Sequence, residues 1–305
     1  MRAVSFLILL LLVFLSSTAQ ETTQKELIES GILKAKSGEF REAIRIFDLA
    51  IALDSTEAEP YYNRGIVRSE LHDFTGAIRD FNKVIGLKPA YPEPYFNRGL
   101  AKDYMEDYIG AIRDYNIAIS LKADYYEAYH NSGLAKFDLG NYQEAVMDFT
   151  RAIVYKHDFT EAYYNRGLSR FKMNDLTGGI QDFNEAIKLD SSQYDYFSSR
   201  GAARAASGEY EAAVGDFSTA MIINPDDLNT RMNLALAFLY LKKYRQAVEA
   251  YDAIIEVTPA DAEIYANRGV ARHYLQDLSG ACEDWKTASE LGSNKAKNYL
   301  LKFCE

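Results

Sequence analysis

One pattern returns every 34 residues, without insertion or deletion, from Gly31 to Gly269. Gly31, Gly65, Gly99, Gly133, Gly167, Gly201 and Gly269 share one phase, with Ala235 in the seventh place. Twelve residues beyond each stands a second small residue, such as Ala43, Ala77, Ala111 or Gly179. Sixteen beyond stands an aromatic ring: Phe47, Phe81, Tyr115, Phe149, Phe183, Phe217, Tyr251 or Trp285. Nineteen beyond stands a small or aliphatic residue, such as Ala50, Val84 or Ile254. Eight cycles at one period of this size specify a repeat solenoid, because a single unit cannot bury its apolar face without stacked neighbours. This regularity overrides the two-domain expectation that 305 residues would raise, and points to one array without a linker.

Each cycle reads as two helices. In the second, apolar residues recur at helical spacing through Pro60–Arg68, a turn follows near His72 and Asp73, and a second helix covers Thr75–Ile85. Pro60, Pro92 and Pro94 sit at helix N-termini, while Pro89, Pro225 and Pro259 fall just past helix ends. The turn holds Gly38, Gly140, Asn174 or Gly208, residues that accept a left-handed backbone. Small residues such as Gly65 and Ala77 let the two helices approach closely, and the aromatic is expected to fill the gap toward the next pair.

These residues resemble the tetratricopeptide repeat. Its first aromatic is matched by Tyr61, Tyr95, Tyr129, Tyr163, Phe197 and Tyr265, followed in order by its glycine, alanine, aromatic, alanine and proline. The departures are Leu27 in the first cycle, and Arg231 and Ala235 in the seventh. The resemblance implies an all-α solenoid of about eight helix-turn-helix repeats in a right-handed superhelix, with a C-terminal capping helix. The expected repeats are 24–57, 58–91, 92–125, 126–159, 160–193, 194–227, 228–261 and 262–295. Residues 20–23 form a short lead and 296–305 the cap.

The first nineteen residues differ in kind. Arg2 is followed by a 13-residue apolar run from Ala3 to Leu15, too short for a comfortable membrane span, and then by Ser17-Thr18-Ala19 before Gln20. This reads as a secretory signal peptide over 1–19, with an uncleaved anchor as the alternative. The short n-region and the Ala19–Gln20 junction resemble those of exported bacterial proteins, which implies a periplasmic or extracellular location. After signal removal no integral membrane span is expected. Cys282 and Cys304 are the only cysteines, and each lies eleven residues from Ser293, where the last helical hairpin turns. They therefore face each other, and an oxidising compartment favours a disulfide over two buried thiols.

The chain offers no catalytic constellation. His72, His130, His157 and His273 fall in different cycles with no HExxH pair, and no GxxxxGK[ST], GxGxxG or GxSxG motif occurs. No cofactor or metal is implied, and the expected reading is non-enzymatic. A net charge of −10, with no run of Lys or Arg, argues against nucleic acid as a partner.

A charge pattern accompanies the repeat. Arg64, Arg98, Arg166, Arg200 and Arg268 precede the cycle glycine where Asp80, Asp114, Asp182, Asp216 and Asp284 precede the second aromatic. The seventh cycle has Leu234 and Ala250 instead, and the first has Ser30 and Ile46. The fourth has Ser132 with Asp148, where Lys136 is expected to substitute. Interhelical bridges that fix register are the structural reading; an arginine ladder for anionic ligands is the functional one.

A binding groove, where tetratricopeptide arrays hold their partners, draws on the positions just before each glycine. Asn63, Asn97, Asn131 and Asn165 sit two before it, at a place that in the family can bond a peptide backbone. Tyr62, Phe96, His130 and Tyr164 sit three before it, and Glu59, Glu93 and Glu127 six before. With Tyr104 and Phe137 further along the first helices, these outline an aromatic groove edged with carboxylates. The alternative is that the rings pack between adjacent first helices and the acids merely favour helix N-termini. Chaperone-binding members need lysine and asparagine where this chain has Tyr62, Ile66, Phe96 and Leu100, so that role is not expected. The leading expectation is a scaffold that binds a protein or peptide of cationic character. The competing one is an envelope carbohydrate-binding module, for which the 23 tyrosines would supply stacking faces.

Overall fold

The computed structural model describes residues 23–304. The expected signal peptide at 1–19 and lead residues 20–22 lie outside the described residues, as does Glu305 of the expected cap. Seventeen helices and no strand occur among the described residues. They fall into two units that divide between His157 and Asp158, after the fourth repeat's second helix.

The first unit comprises helical residues 23–36 (α1), then α2 Phe40–Leu53, α3 Glu59–Glu70, α4 Phe74–Leu87, α5 Pro92–Asp103, α6 Tyr108–Leu121, α7 Tyr126–Asp138 and α8 Tyr142–Tyr155. The second comprises α9 Thr160–Lys172, α10 Leu176–Leu189, α11 Tyr194–Ala206, α12 Tyr210–Ile223, α13 Leu228–Tyr240, α14 Tyr244–Ile255, α15 Ala262–Tyr274, α16 Leu278–Glu290 and α17 Asn294–Phe303. Within each unit, from α2 to α8 and from α9 to α17, each helix packs against the next. In the first unit α3 touches α5 and α5 touches α7; in the second α9, α11, α13 and α15 touch in succession. Successive second helices make no comparable contact, so within each unit the first helices form the more tightly gathered face.

The repeat glycine has a specific steric cause. A Cβ built on Gly99 would stand 2.6 Å from Cε1 of Tyr115, and one on Gly65 2.8 Å from Cε1 of Phe81. The aromatic therefore fills the space over the glycine of its own pair, which corrects the expectation that it mainly spans to the next. It still reaches onward: Phe47 clusters with Val67 and Phe217 with Ala237, each from the following repeat. The rings and the alanines around them are fully buried. Because glycine lacks a side chain, the ring of the facing helix can lie against backbone, and the pair closes without a void.

Every turn between the two helices of a repeat uses the left-handed region at one position. Gly38, His72, Glu106, Gly140, Asn174, Gly208, Lys242 and Gln276 all have φ between 59° and 82°. Only four are the glycines or asparagine that the sequence marks. His72, Glu106, Lys242 and Gln276 take the same strained conformation because the packed hairpin on either side dictates it. The following helices are capped where aspartate is present: Asp73, Asp107, Asp175 and Asp277 accept from the amides of Gly76, Gly110, Gly178 and Gly280.

The charge pattern resolves into a buried network. Asp80, Asp114, Asp182, Asp216 and Asp284 are buried, and each takes two hydrogen bonds from the arginine before its repeat glycine. A second cation, three residues after the glycine, completes each cluster: Arg68, Lys102, Arg170, Arg204 or Arg272. In the fourth repeat Lys136 pairs with Asp148 at 2.6 Å, as expected, from the place the second cation holds in the other repeats. Ser132, in the arginine's own position, adds a hydrogen bond to Asp148 at 2.6 Å. Where the first repeat lacks the aspartate, Lys34 turns to Glu39 instead. The network supports the structural reading of the arginines, whose guanidinium groups are consumed inside the fold.

At the C-terminus α17 begins at Asn294, two residues before the expected cap, because Ser293 caps it through the amide of Ala296. Tyr299 and Phe303 cover Trp285, the last repeat ring. Cys282 and Cys304 come together with Cα atoms 5.9 Å apart and sulfur atoms at bonding distance.

Candidate functional site

The first-helix face of the first unit gathers most of the groove residues. Tyr62 on α3 is half-buried, its ring 6.1 Å from Phe81 and 5.5 Å from Tyr91. Phe96 on α5 packs on Tyr115 and Tyr125, and His130 on α7 packs on Phe149. In the second unit Tyr164 on α9 repeats the arrangement against Phe183 and Tyr196, and its hydroxyl shares a 3.3 Å hydrogen bond with Ser199. The residue three before the glycine thus leans on the ring of its own repeat. These side chains are part of the core's inner wall, with their outer edges toward solvent. Burial pushes His130 down to about 4, so its imidazole is neutral at pH 7.

The asparagines are engaged locally. Asn63 Nδ2 donates to the carbonyl of Glu59 at 3.1 Å, and Asn131 Nδ2 to that of Glu127 at 2.8 Å. Asn97 Nδ2 donates to the Tyr62 hydroxyl at 2.9 Å, tying adjacent first helices together. Asn165 is half-buried on α9. Each such amide keeps an acceptor oxygen and a second N–H in its inventory.

Tyr104 behaves differently. It is 72% exposed and stacks on Phe74 of the preceding repeat with ring centroids 5.1 Å apart and planes 5° from parallel. Phe137 is half-buried, edge-on to Tyr142. The Phe74–Tyr104 geometry recurs as Tyr210–Tyr240 and Tyr244–Tyr274 in the second unit, always between residues 30 apart. These stacked pairs escape a reading of single cycles; the signal was an aromatic nine after one glycine matched by one five after the next. Two of the pairs wall small cavities in the same register. One, of about 330 Å³, has Phe81 and Asn97 in its lining; the other, of about 440 Å³, has Phe217 and Asn233.

A larger cavity of about 710 Å³ lies between the N-terminal ends of α3 and α5, lined by Glu59, Tyr62, Asn63, Lys88 and Tyr91 among others. Among the described residues no group of three or more His, Cys, Asp or Glu side chains is placed to hold a metal ion, and no helix is long and apolar enough to cross a membrane.

Helical hairpins that offer a face of rings and amides, with the arginines before the repeat glycines paired inside the fold, define a helical-repeat interaction scaffold. Models of the tetratricopeptide repeat match residues 58–91, 160–193 and 232–287, and a TPR repeat model matches 133–174. The chain is a tetratricopeptide repeat protein. Similar solved structures include YrrB, described as a TPR protein with an unusual peptide-binding site: 21% identity, TM-score 0.55, covering 60% of this chain and 95% of that one. A tetratricopeptide repeat protein from Parabacteroides merdae is 18% identical with TM-score 0.58, covering 81% and 99%. PilF of Pseudomonas aeruginosa is 12% identical with TM-score 0.60, covering 70% and 97%. At these identities the likeness is one of fold. No curated protein matches the chain by sequence.

Proposed function

We propose that the chain is an exported, non-enzymatic scaffold whose first-helix face takes an extended peptide or partner helix of cationic character. The observation that carries this reading is the recurrence of cavities between successive first helices, each bordered by aromatic rings and an asparagine. Glu59, Glu93 and Glu127 at the starts of α3, α5 and α7 bias that face toward positive charge, and the overall charge of −10 disfavours nucleic acid. Peptide binding by YrrB is a property of that protein, and it is consistent with such use of this fold.

Site-specific photocrosslinking in the native host tests the reading. A crosslinker at Tyr104 should capture a discrete partner polypeptide, whereas one at Met147, exposed on second helix α8, should not. Capture at Met147 alone sinks the first-helix assignment. The carbohydrate reading keeps one support, the exposed outer rings of Tyr104, Tyr240 and Tyr274, but Tyr62 and Tyr164 are half-buried in packing contacts. Saturable glycan binding that is lost on replacing Tyr240 and Tyr274 would favour it. Export implies a mature N-terminus at Gln20 and a covalent Cys282–Cys304 bond, both read by mass spectrometry of unreduced native protein. A chain retaining Met1–Leu15, or two alkylatable thiols, would contradict it.

A further inference from the structure

We infer that the groove between α5 and α7 receives the guanidinium group of an arginine side chain carried by the partner, laid on the ring of Tyr108 and held by Asp103 and Asp138. The inference rests on the first-helix face as the binding surface and names what one place on that face selects.

The repeat register brings these residues together. Ser69, Phe74, Phe81 and Tyr104 line the cavity of about 330 Å³ walled by α3, α4 and α5. Ala205, Tyr210, Phe217 and Tyr240 hold the same four places around the cavity of about 440 Å³ in the second unit. One repeat after the first cavity, these places are taken by Asp103, Tyr108, Tyr115 and Asp138. In both cavities the second and fourth places carry the stacked rings, Phe74 with Tyr104 and Tyr210 with Tyr240, their planes 5° and 11° from parallel. Between α5 and α7 the first ring is kept as the half-buried Tyr108, and the exposed Asp138 stands where the covering ring stands elsewhere. The chain thus offers Tyr108 a carboxylate in place of a planar partner.

Asp103 and Tyr115 point to the charge of what completes the stack. Tyr115 is fully buried and its hydroxyl has no hydrogen-bond partner; the same holds for the buried Oδ1 of Asp103. The Tyr115 ring lies against Gly99, where a Cβ would stand 3.2 Å from Cζ, the atom that carries the hydroxyl. Asp103 is one helical turn on from Gly99, on the same face of α5. Orphaned buried oxygens are costly, and a cation drawn onto Asp103 offsets that cost. Burial, with the charge of Asp138 added, raises Asp103 to about 6, the direction expected of a carboxylate that no cation answers. Nearby cations are committed within their own hairpins: Lys102 pairs with Asp114 at 2.7 Å and Lys136 with Asp148 at 2.6 Å. Glu106, in the place of the cavity-lining His72, adds a further negative charge.

The chain seats its own arginines in the same way. The guanidinium carbon of Arg64 lies 5.4 Å from the centre of the Tyr61 ring while its nitrogens bond Asp80, and that of Arg98 lies 5.5 Å from Tyr95 while bonding Asp114. A planar guanidinium can lie on Tyr108 as Tyr104 lies on Phe74, with its in-plane N–H groups directed to the two carboxylates, whereas an ammonium has no plane to stack.

The test uses the full chain with ¹³C-labelled tyrosine rings at pH 7 and, as probe, n-propylguanidinium, an arginine side chain in isolation. The Tyr108 signal, assigned by its loss in Tyr108→Phe, should shift saturably with this probe and not with n-propylurea, its uncharged planar counterpart. Binding of n-butylammonium should be weaker by about tenfold or more. Asp138 is exposed at the end of α7, so its variants keep the fold. Asp138→Asn should weaken the response by about tenfold. Asp138→Tyr should abolish it by covering Tyr108 with a ring of the chain's own. An equal response to n-propylurea, equal or tighter binding of n-butylammonium, or an undiminished response in either variant overturns the assignment. No partner is needed, so a failed titration with successful crosslinking at Tyr104 rejects the arginine site and leaves the scaffold standing. A successful titration with capture at Met147 alone keeps the cation site and rejects the scaffold face.

Discussion

Replacing Asp216 with alanine should be among the most damaging single changes in the second unit. Asp216 is 4% exposed. It accepts Arg200 Nη2 at 2.6 Å and Nε at 3.0 Å, and Arg204 Nη1 at 2.8 Å. Deleting it leaves two guanidinium groups side by side, one of them, Arg204, with its Nε already buried and unpaired. Removing one partner of a buried ion pair costs about 3–5 kcal/mol. The arginines keep some solvent contact and Arg200 retains Asn184, which brings the expected loss to about 2–3 kcal/mol. The seventh repeat shows the apolar solution, with Leu234, Phe238 and Ala250 at the corresponding places. The triple variant Arg200→Leu, Arg204→Phe, Asp216→Ala should therefore recover to within about 1 kcal/mol of the parent. Urea unfolding followed by circular dichroism at pH 7 measures both, and hydrogen exchange should place the single variant's damage in α11 and α12 first, because repeats couple to their neighbours. A single-variant loss below about 1 kcal/mol, or a triple variant as unstable as the single, would refute the reasoning.

Gly99→Ala should cost roughly 1–3 kcal/mol by forcing a Cβ onto the buried Tyr115 ring, whereas Gly215→Ala, with open space around it in the middle of α12, should gain about 0.5–1 kcal/mol; thermal unfolding distinguishes the signs. Lys242→Gly should stabilise by up to about 1 kcal/mol despite breaking no rule in the wild-type sequence, since φ there is 59°; a destabilised variant would show that the turn is relaxed. His130 is lowered to about 4 by burial, so the unfolded chain binds its proton first as pH falls below 6.5. Its contribution is neutral above 6.5 and becomes a penalty that grows toward about pH 4. Asp103, raised to about 6 by burial and by Asp138, acts in the opposite sense over the same window. His130→Phe should therefore hold its stability in acid better than the parent, read as the difference between their unfolding midpoints at pH 7 and pH 4.5.

The residues of the candidate face were legible as positions but not as environments. Tyr62, Phe96, His130 and Tyr164 share a phase, yet phase alone does not say whether a ring faces a ligand or the neighbouring core. The structure shows that each packs, half-buried, on Phe81, Tyr115, Phe149 or Phe183 of its own repeat. Apart from Lys136, the second cation of the charge clusters, such as Arg68 or Arg204, was hidden because lysine and arginine on an exposed-looking helix surface usually belong to solvent. The stacked pairs were hidden because Phe74 and Tyr104 belong to different cycles.

The 34-residue period determined the helices, their pairing and the buried alanines and rings, because spacing along a helix dictates which side chains share a face and the glycine phase dictates where two helices can touch. The facing of Cys282 and Cys304 followed from their equal spacing about Ser293, and the folded chain supplied the 5.9 Å between their Cα atoms. The left-handed conformation at Glu106 and Lys242 and the stacking of Phe74 on Tyr104 were decided by the folded chain. The period names the helix face a residue occupies. Only the stacking of one hairpin on the next sets the distance between faces, and hydrogen bonds, charge and cavities depend on that distance.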